Sequence, residues 1–560
     1  MGGFDETFDW VVVGNGGGSM SSALVMRAAG KSVMILEKSR WAGGTTAKSG
    51  GVMWIPANRY MRAAGDADSI EAGITYLDAA VGDAPDTPGT SPAKRRAYVV
   101  EANRMLEFLV GQGLEFERTA DFWPDYYDEL PGGCKSSRGV SAKLFDTNRL
   151  GAWRDKLRPG FLPVPAKLDE GMKLPYYKKS WVGRAMFAKV ALRTAWAKLT
   201  GRRIVSAGAA LQARMLEAVL KAGAELRLET PVAGLVVEDS RVVGVATVKD
   251  GKPWRIGARL GVLVNAGGFA RNQAMRDRYM PGTDMRWSQV NESDTGDMHV
   301  EMERIGAPLA QMDQMVGYQC TLPPGWEKMA TAPPAQSLTG KPHAILVDQS
   351  GVRYMNEGGS YELYCETMLV RNRTVPAVPS WAIFDDQYIS QYMLAGTMPG
   401  RGKPAAWSEH GYLKQAESIA ELAALIDMDP AVLKNTVERW NGFVADGIDA
   451  DFHRGERDYD KWLGDPFHGP NPALGTIVKP PFYAVEIVPG DVGTYGGVVT
   501  DADARVVSAD GAPIEGLYAT GVSTASVMGN IYPGAGGSVG PSLTFGFVAA
   551  RHAAGLGNQP

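Results

Sequence analysis

Two apolar periods organise the first half of the chain. Trp10 to Val13 form an unbroken apolar run that Gly14 and Gly16 interrupt. Ser21 to Ala29 then place apolar residues at helical spacing, and Val33 to Leu36 form a second run ending at Glu37. Short apolar runs bounded by turn residues predict buried strands, so this stretch reads strand, tight turn, helix, strand. Farther on, "ALQARMLEAVLKAGAELRLETPVAGLVVEDSRVVGVATV" predicts a helix, a strand and a hairpin turning at Asp239 and Ser240. Between about 316 and 490 the alternation of strand and helix is lost. Loops dominate there, with two amphipathic helices in "AESIAELAALIDMDPAVLKNTVERWNGFV" joined at Asp429 and Pro430. Beyond 490 come small-residue loops and a closing helix from Leu543 to Ala554. Three parts are expected: 1–315, 316–490 and 491–560, the middle one a cap inserted into a domain built from the two ends. Neither internal repeats nor low-complexity tracts are visible.

Composition narrows the function classes. At 560 residues the chain exceeds what one core supports. With 45% hydrophobic and 21% charged residues it is an ordinary globular protein, and a net charge of −4 gives no reason to expect nucleic-acid binding. Cys134, Cys320 and Cys365 are the three cysteines, none at metal-ligand spacing, so reduced thiols and no metal are expected. The acidic start "MGGFDETFDW" lacks the features of a signal peptide, and no apolar run reaches bilayer-spanning length. A cytoplasmic protein is expected.

The first strand–turn–helix–strand carries chemistry. Gly14, Gly16 and Gly17 open onto a helix N-terminus suited to a pyrophosphate, and Glu37, followed by Lys38, stands where ribose hydroxyls are bound. The customary third glycine falls on Ser19, which implies slightly looser helix–strand packing. NAD and FAD both use such a unit. A second small-residue loop, "WAGGTTAKSGGVMWIPAN", contributes Gly43, Gly44, Thr45, Thr46, Ser49, Gly50 and Gly51 and suits a bulky isoalloxazine lying against backbone. The glycine-rich tract "NIYPGAGGSVGPSLTFG" from Asn530 to Gly546 brackets the chain at its other end and holds a single phenol, Tyr532.

These features resemble flavoproteins of the fumarate reductase/succinate dehydrogenase superfamily. The resemblance continues in "LVNAGGFARN", "DTGDMHVEMERIGA", "GVRYMNE" and "GTYGGVVTDADARVV". It implies an α/β fold, with a Rossmann-like FAD-binding domain and an inserted α+β catalytic cap. It also implies FAD contacts at Ala266, Gly267, Gly521, Ser538, Val539 and Pro541. None of the six histidines lies near the first 60 residues, so the flavin is expected to be non-covalent. Within the superfamily, "GGTTAKSGGVMWIPAN", "WPDYYDELPGG", "NEGGSYELY" and "SVMGNIYPGAGGSVGPSLTFGFVAARH" look like the 3-ketosteroid Δ1-dehydrogenases. That resemblance implies a 3-ketosteroid substrate, including long-chain sterones, and an external electron acceptor such as a quinone. By it, the Tyr532 hydroxyl and the Gly536 N–H polarise the C3 ketone, the glycine letting the carbonyl reach the main chain. Tyr361 takes the C2 proton with help from Tyr126, while Tyr127 and Tyr364 are the neighbouring alternatives. Other readings are a Δ4-(5α)-ketosteroid dehydrogenase, a fumarate reductase-like enzyme and a flavin electron-relay protein.

One segment reverses the sign of the chain. Residues 151–203 hold thirteen Lys or Arg against Asp155, Asp169 and Glu170. Ser180 to Leu199 predicts a helix whose Trp181, Val182, Ala185, Met186, Val190 and Trp196 interleave with Arg184, Lys189, Arg193 and Lys198. Such a helix suits an anionic membrane surface, or else packs its aromatics on the flavin domain.

Overall fold

The computed structural model describes residues 3–82, 88–119, 123–329 and 331–557. The strand Glu6–Val13 lies between Val33–Leu36 and Lys252–Val264, parallel to both, and Trp10 to Val13 are buried. Outward from this centre the order runs to Glu225–Arg227 on one side and to Pro513–Ala519 and Arg505–Val507 on the other. Strands from both ends of the chain therefore share one sheet. The hairpin Val232–Glu238 and Arg241–Lys249 joins it antiparallel. Asp239 and Ser240 turn it with φ of 47° and 60°, the left-handed pair that matches strand twist.

The first helix is Gly17–Ala28, four residues earlier than the apolar period indicates, because its first turn is built from glycine and serine. It packs against the terminal helix Val539–Ala553 through two glycines. A side chain on Gly18 would overlap the Ser542 carbonyl and stand 2.6 Å from Thr520 Cγ2, and one on Gly546 would overlap Gly18 itself. Close helix packing thus falls to Gly18. Ser19 instead ties the turn to the third strand, its N–H and hydroxyl both donating to Asn265 Oδ1 at 3.1 Å.

A second, antiparallel sheet runs Ala344–Val347, Ser380–Asp385, Phe482–Ile487, Lys414–Ala416 in spatial order. Its first two strands are buried throughout. One face (Ile345, Val347, Ile383) packs on the helices Ile419–Leu425 and Pro430–Asp446 through Leu422, Leu433 and Trp440. The carboxylate of Asp429 caps the second of these helices by accepting from Ala431 N at 2.8 Å, and Pro430 occupies its first turn. The other face takes Tyr364 and Met368 from the helix Tyr361–Asn372. Arg353 holds the turn before that helix. Its guanidinium forks onto Glu357 at 2.9 and 2.8 Å and reaches Asp449 at 3.2 and 2.9 Å. This buried arginine is engaged in the fold.

The basic segment forms the helices Leu168–Lys173 and Trp181–Leu199. Trp181, Leu192 and Leu199 are 79%, 72% and 87% exposed, and Phe187 and Trp196 nearly half. Packing of the aromatics on the flavin domain is therefore not what the structure has; Val190 alone of the large apolar residues on this helix is buried. Among the described residues no helix is long and apolar enough to cross a membrane.

Candidate active site

A continuous cavity of about 1180 Å³ runs from the first helix to the four-stranded sheet. At one end Gly14 takes φ +91°, where a side chain would overlap the Asn265 carbonyl. Gly16 caps the helix Gly17–Ala28 without a side-chain hydrogen bond, and no acid stands in the first turn. The terminal helix begins likewise, uncapped at Ser538 and free of acid. Both helix starts lie on the cavity wall, and each favours negative charge through its aligned N–H groups.

Glu37 closes the second strand with a buried carboxyl that accepts Ser39 N–H at 2.8 Å, and burial raises its pKa. Lys38 donates to Thr295 Oγ1 at 2.6 Å and pairs with Asp297 at 2.7 Å. Thr45 Oγ1 donates to Asp294 Oδ2 at 3.0 Å, and burial pushes the Asp294 carboxyl up to about 7. Gly267 is small because Asp294 sits against its Cα. The second small-residue loop is threaded by left-handed glycines, Gly43 at φ +114°, Gly44 at +52° and Gly51 at +64°.

Of the positions expected to face a cofactor, Gly14, Gly16, Glu37, Lys38, Gly44, Thr45, Thr46, Ser49, Gly50, Gly51, Ala266, Gly267, Ser538 and Val539 are on the cavity wall. Five are not. Gly17 faces Leu543, Ser19 binds Asn265, and Gly521 faces Asn265 and Ser542. Gly43 donates its N–H to Asn15 Oδ1 at 3.0 Å, and Pro541 is buried inside the terminal helix. They hold the wall from behind.

Three phenols meet beyond the loop. The ring centroids of Tyr361 and Tyr532 are 5.2 Å apart, those of Tyr126 and Tyr361 5.4 Å, and those of Tyr126 and Tyr532 5.9 Å. The three hydroxyls stand close enough to influence one another's ionisation. Burial drives the pKa of Tyr361 and Tyr126 well above 10. Tyr532 is raised less: burial is opposed by hydrogen bonds from Tyr361 and from the backbone N–H groups of Ser538 and Gly536. The Gly536 N–H thus lies near the Tyr532 hydroxyl. The fold also requires glycine here, since at φ +97° a Cβ would stand 2.5 Å from Val52 O and 2.6 Å from Trp54 N.

The neighbouring alternatives separate cleanly. Tyr364 hydrogen-bonds Thr339 at 3.1 Å and belongs to the core under the second sheet. Tyr127 donates to Glu362 Oε2 at 3.2 Å, off the cavity wall, whereas Tyr126 is on it. Two further phenols were not legible in the pattern. Tyr459 lies tilted against Tyr126 with ring centroids 4.4 Å apart and accepts from Gln336 at 2.7 Å, and Tyr318 sets its ring edge-on to Tyr361 at 5.3 Å. The only signal for Tyr318 was the aromatic stretch "GYQCTLPPGW". The remaining wall mixes apolar side chains, among them Phe161, Leu162, Met172 and Leu174 of the basic segment with Met393 and Trp407, with polar ones such as Gln336 and Lys341.

The FAD binding domain family matches residues 9–539. The 3-oxosteroid 1-dehydrogenase of Mycobacterium tuberculosis (strain ATCC 25618 / H37Rv) is 37% identical over 98% of each chain. The 4-oxocyclohexanecarboxylate 2-dehydrogenase of Sinomonas cyclohexanicum is 33% identical over 98% of this chain and 93% of that one. Among solved structures, the 3-ketosteroid Δ1-dehydrogenase of Sterolibacterium denitrificans in complex with 1,4-androstadiene-3,17-dione superposes with a TM-score of 0.91 at 34% identity, covering 98% of this chain and 100% of that one. The uncapped helix starts, the left-handed glycine loop and the buried Glu37 carboxyl are groups of the kind FAD needs, and the chain belongs to the 3-oxosteroid 1-dehydrogenase family of FAD-dependent oxidoreductases.

Proposed function

We propose that this enzyme removes hydrogen from C1 and C2 of a 3-ketosteroid, leaving a C1–C2 double bond beside the ketone. The observation that carries the reading is the packing of Tyr126, Tyr361 and Tyr532 beside Gly536 at the wall of the cavity, which Phe161, Leu162, Met172 and Trp407 also line. The Gly14–Gly16 turn, Glu37, Gly50, Gly51, Ser538 and Val539 are the residues that would hold FAD, the turn suiting its diphosphate and Glu37 a ribose. When bound, FAD supplies the acceptor for the hydride leaving C1.

The protein's own part is acid–base chemistry. Tyr532 and the Gly536 N–H hold the C3 oxygen, so that negative charge developing there meets two donors in a water-poor site. That polarisation acidifies C2–H, and Tyr361 as phenolate takes the proton. Because burial keeps Tyr361 protonated near neutrality, its own proton must first leave through the phenol cluster, where Tyr126 is its partner. Apolar side chains beside the phenols and an Arg353 committed to Glu357 and Asp449, off the cavity wall, favour an uncharged planar substrate over a dicarboxylate.

The helix Trp181–Leu199 docks the enzyme on an anionic bilayer, where sterones and quinone acceptors partition. Its support is the exposed Trp181, Leu192 and Leu199 among basic residues, on the same segment that walls the cavity. Incubation with androst-4-ene-3,17-dione and an artificial electron acceptor tests the main reading. The expected product is the 1,4-diene; a product lacking the C1–C2 double bond, or none, overturns it.

A further inference from the structure

Glu362 directly follows Tyr361, at the start of the helix Tyr361–Asn372, and is buried. Its carboxylate draws together three separate parts of the chain. Tyr127 Oη donates to Oε2 at 3.2 Å and Ser360 Oγ donates to the same oxygen at 3.1 Å, while the backbone N–H of Tyr532 stands near enough to favour the charged carboxylate. Each of these groups belongs to, or adjoins, a residue bearing one of the three phenols. Tyr127 follows Tyr126, Ser360 precedes Tyr361, and Tyr532 is the third. A buried carboxyl is costly unless hydrogen-bonded, and an apolar residue of this size would fill the space without that cost.

We propose that Glu362 is a positioning residue whose carboxylate clips the three segments together and so sets the mutual placement of Tyr126, Tyr361 and Tyr532. The inference rests on the reading of these phenols as the acid–base set. Glu362 acts through them, not on the substrate. Burial, with the like charge of Glu366 on the same helix, raises its pKa to about 7. The other titratable groups near it are Tyr127, Tyr532 and Tyr495, phenols raised above 10, and Cys365, whose thiol burial raises well above its ordinary value. The clip therefore gains its full charge as pH rises through neutrality, a range in which those phenols stay protonated.

The test uses the FAD-loaded full chain, Glu362→Ala, Glu362→Gln and the control Glu366→Gln, with androst-4-ene-3,17-dione. A glutamine oxygen still accepts from Tyr127 and Ser360, but its NH₂ cannot accept from Tyr532 N–H. Misplacement on the ångström scale costs up to about 10²-fold in rate, so kcat per bound flavin should fall between about tenfold and 10²-fold. KM should stay within about threefold in both Glu362 variants. The kcat profile of the wild type and of Glu366→Gln should carry an ionisation near pH 7 that Glu362→Gln lacks. Should Glu362→Ala fail to fold, Glu362→Gln decides alone. Wild-type kcat per flavin with an unchanged pH profile, or a lowered Tm as the sole effect, overturns the inference. Failure of the wild type itself to form the 1,4-diene overturns the functional reading instead.

Discussion

Replacing Tyr532 with phenylalanine removes one oxygen from the centre of the account. That oxygen is buried, and Tyr361 with the backbone N–H groups of Gly536 and Ser538 lies near enough to oppose the rise that burial gives its pKa. A hydrogen bond lost there costs about 0.5–1.5 kcal/mol of stability, so the fold survives with a modestly lower Tm. The catalytic loss is larger. One of two donors to the developing oxyanion disappears, which costs about 2.7–4 kcal/mol, or 10²–10³ in kcat. The Gly536 N–H remains, so activity falls without vanishing. KM changes less, because the hydroxyl works on charge that grows in the transition state. Dye-coupled kinetics with androst-4-ene-3,17-dione, normalised to flavin absorbance, measures both constants. A kcat within about threefold of wild type, or a loss fully explained by missing flavin, refutes the assignment.

Further outcomes are expected at other positions. Tyr361→Phe loses most turnover while keeping its flavin, whereas Tyr364→Phe, which loses only the Thr339 hydrogen bond, keeps near-normal kcat in the same assay. With chemistry limiting, kcat rises from pH 7 toward 10, since a phenol raised above 10 gains phenolate about tenfold per pH unit below its pKa; a flat profile contradicts a tyrosine base. The same shift weakens the fold above pH 10, because the unfolded phenol ionises first and the folded one holds its proton longer, so thermal melts should fall from pH 10 upward. Replacing the exposed Trp181, Leu192 and Leu199 with glutamate removes about 1.5–3 kcal/mol of apolar burial per side chain at a bilayer, so co-sedimentation with anionic liposomes should be lost with the fold intact. Undiminished binding, or equally weak binding by the unaltered chain at low salt, ends the docking proposal.

Legibility in the sequence followed how locally each feature is determined. The Trp10–Glu37 unit was readable because glycine is required at Gly14, and apolar runs flank it at strand length. The hairpin at Asp239 and Ser240 was readable for a similar local reason. The second sheet was not. Ala344–Val347 and Ser380–Asp385 are buried on both faces, so no alternation marks them, and four to six apolar residues do not distinguish strand from helix. Helix starts were misplaced at Gly17 and Val539, where small residues carry no apolar period. Tyr361 and Tyr532 were found through resemblance, while Tyr459 and Tyr318 acquire neighbours only through tertiary packing. Glu362 looks in sequence like an ordinary first-turn acid of a helix; only the fold brings Tyr127 and Tyr532 to it.

The central claim is that this cavity couples loss of a C2 proton to loss of a C1 hydride from one ketosteroid. Anaerobic single-turnover reduction of the bound flavin by androst-4-ene-3,17-dione, unlabelled or deuterated at C1 or at C2, tests it most directly. The account predicts bleaching of the flavin with one 1,4-diene formed per flavin. C1 deuterium should slow the bleaching in the wild type, and Tyr361→Phe should suppress it. A flavin that stays oxidised, or that bleaches without forming the 1,4-diene, contradicts the account.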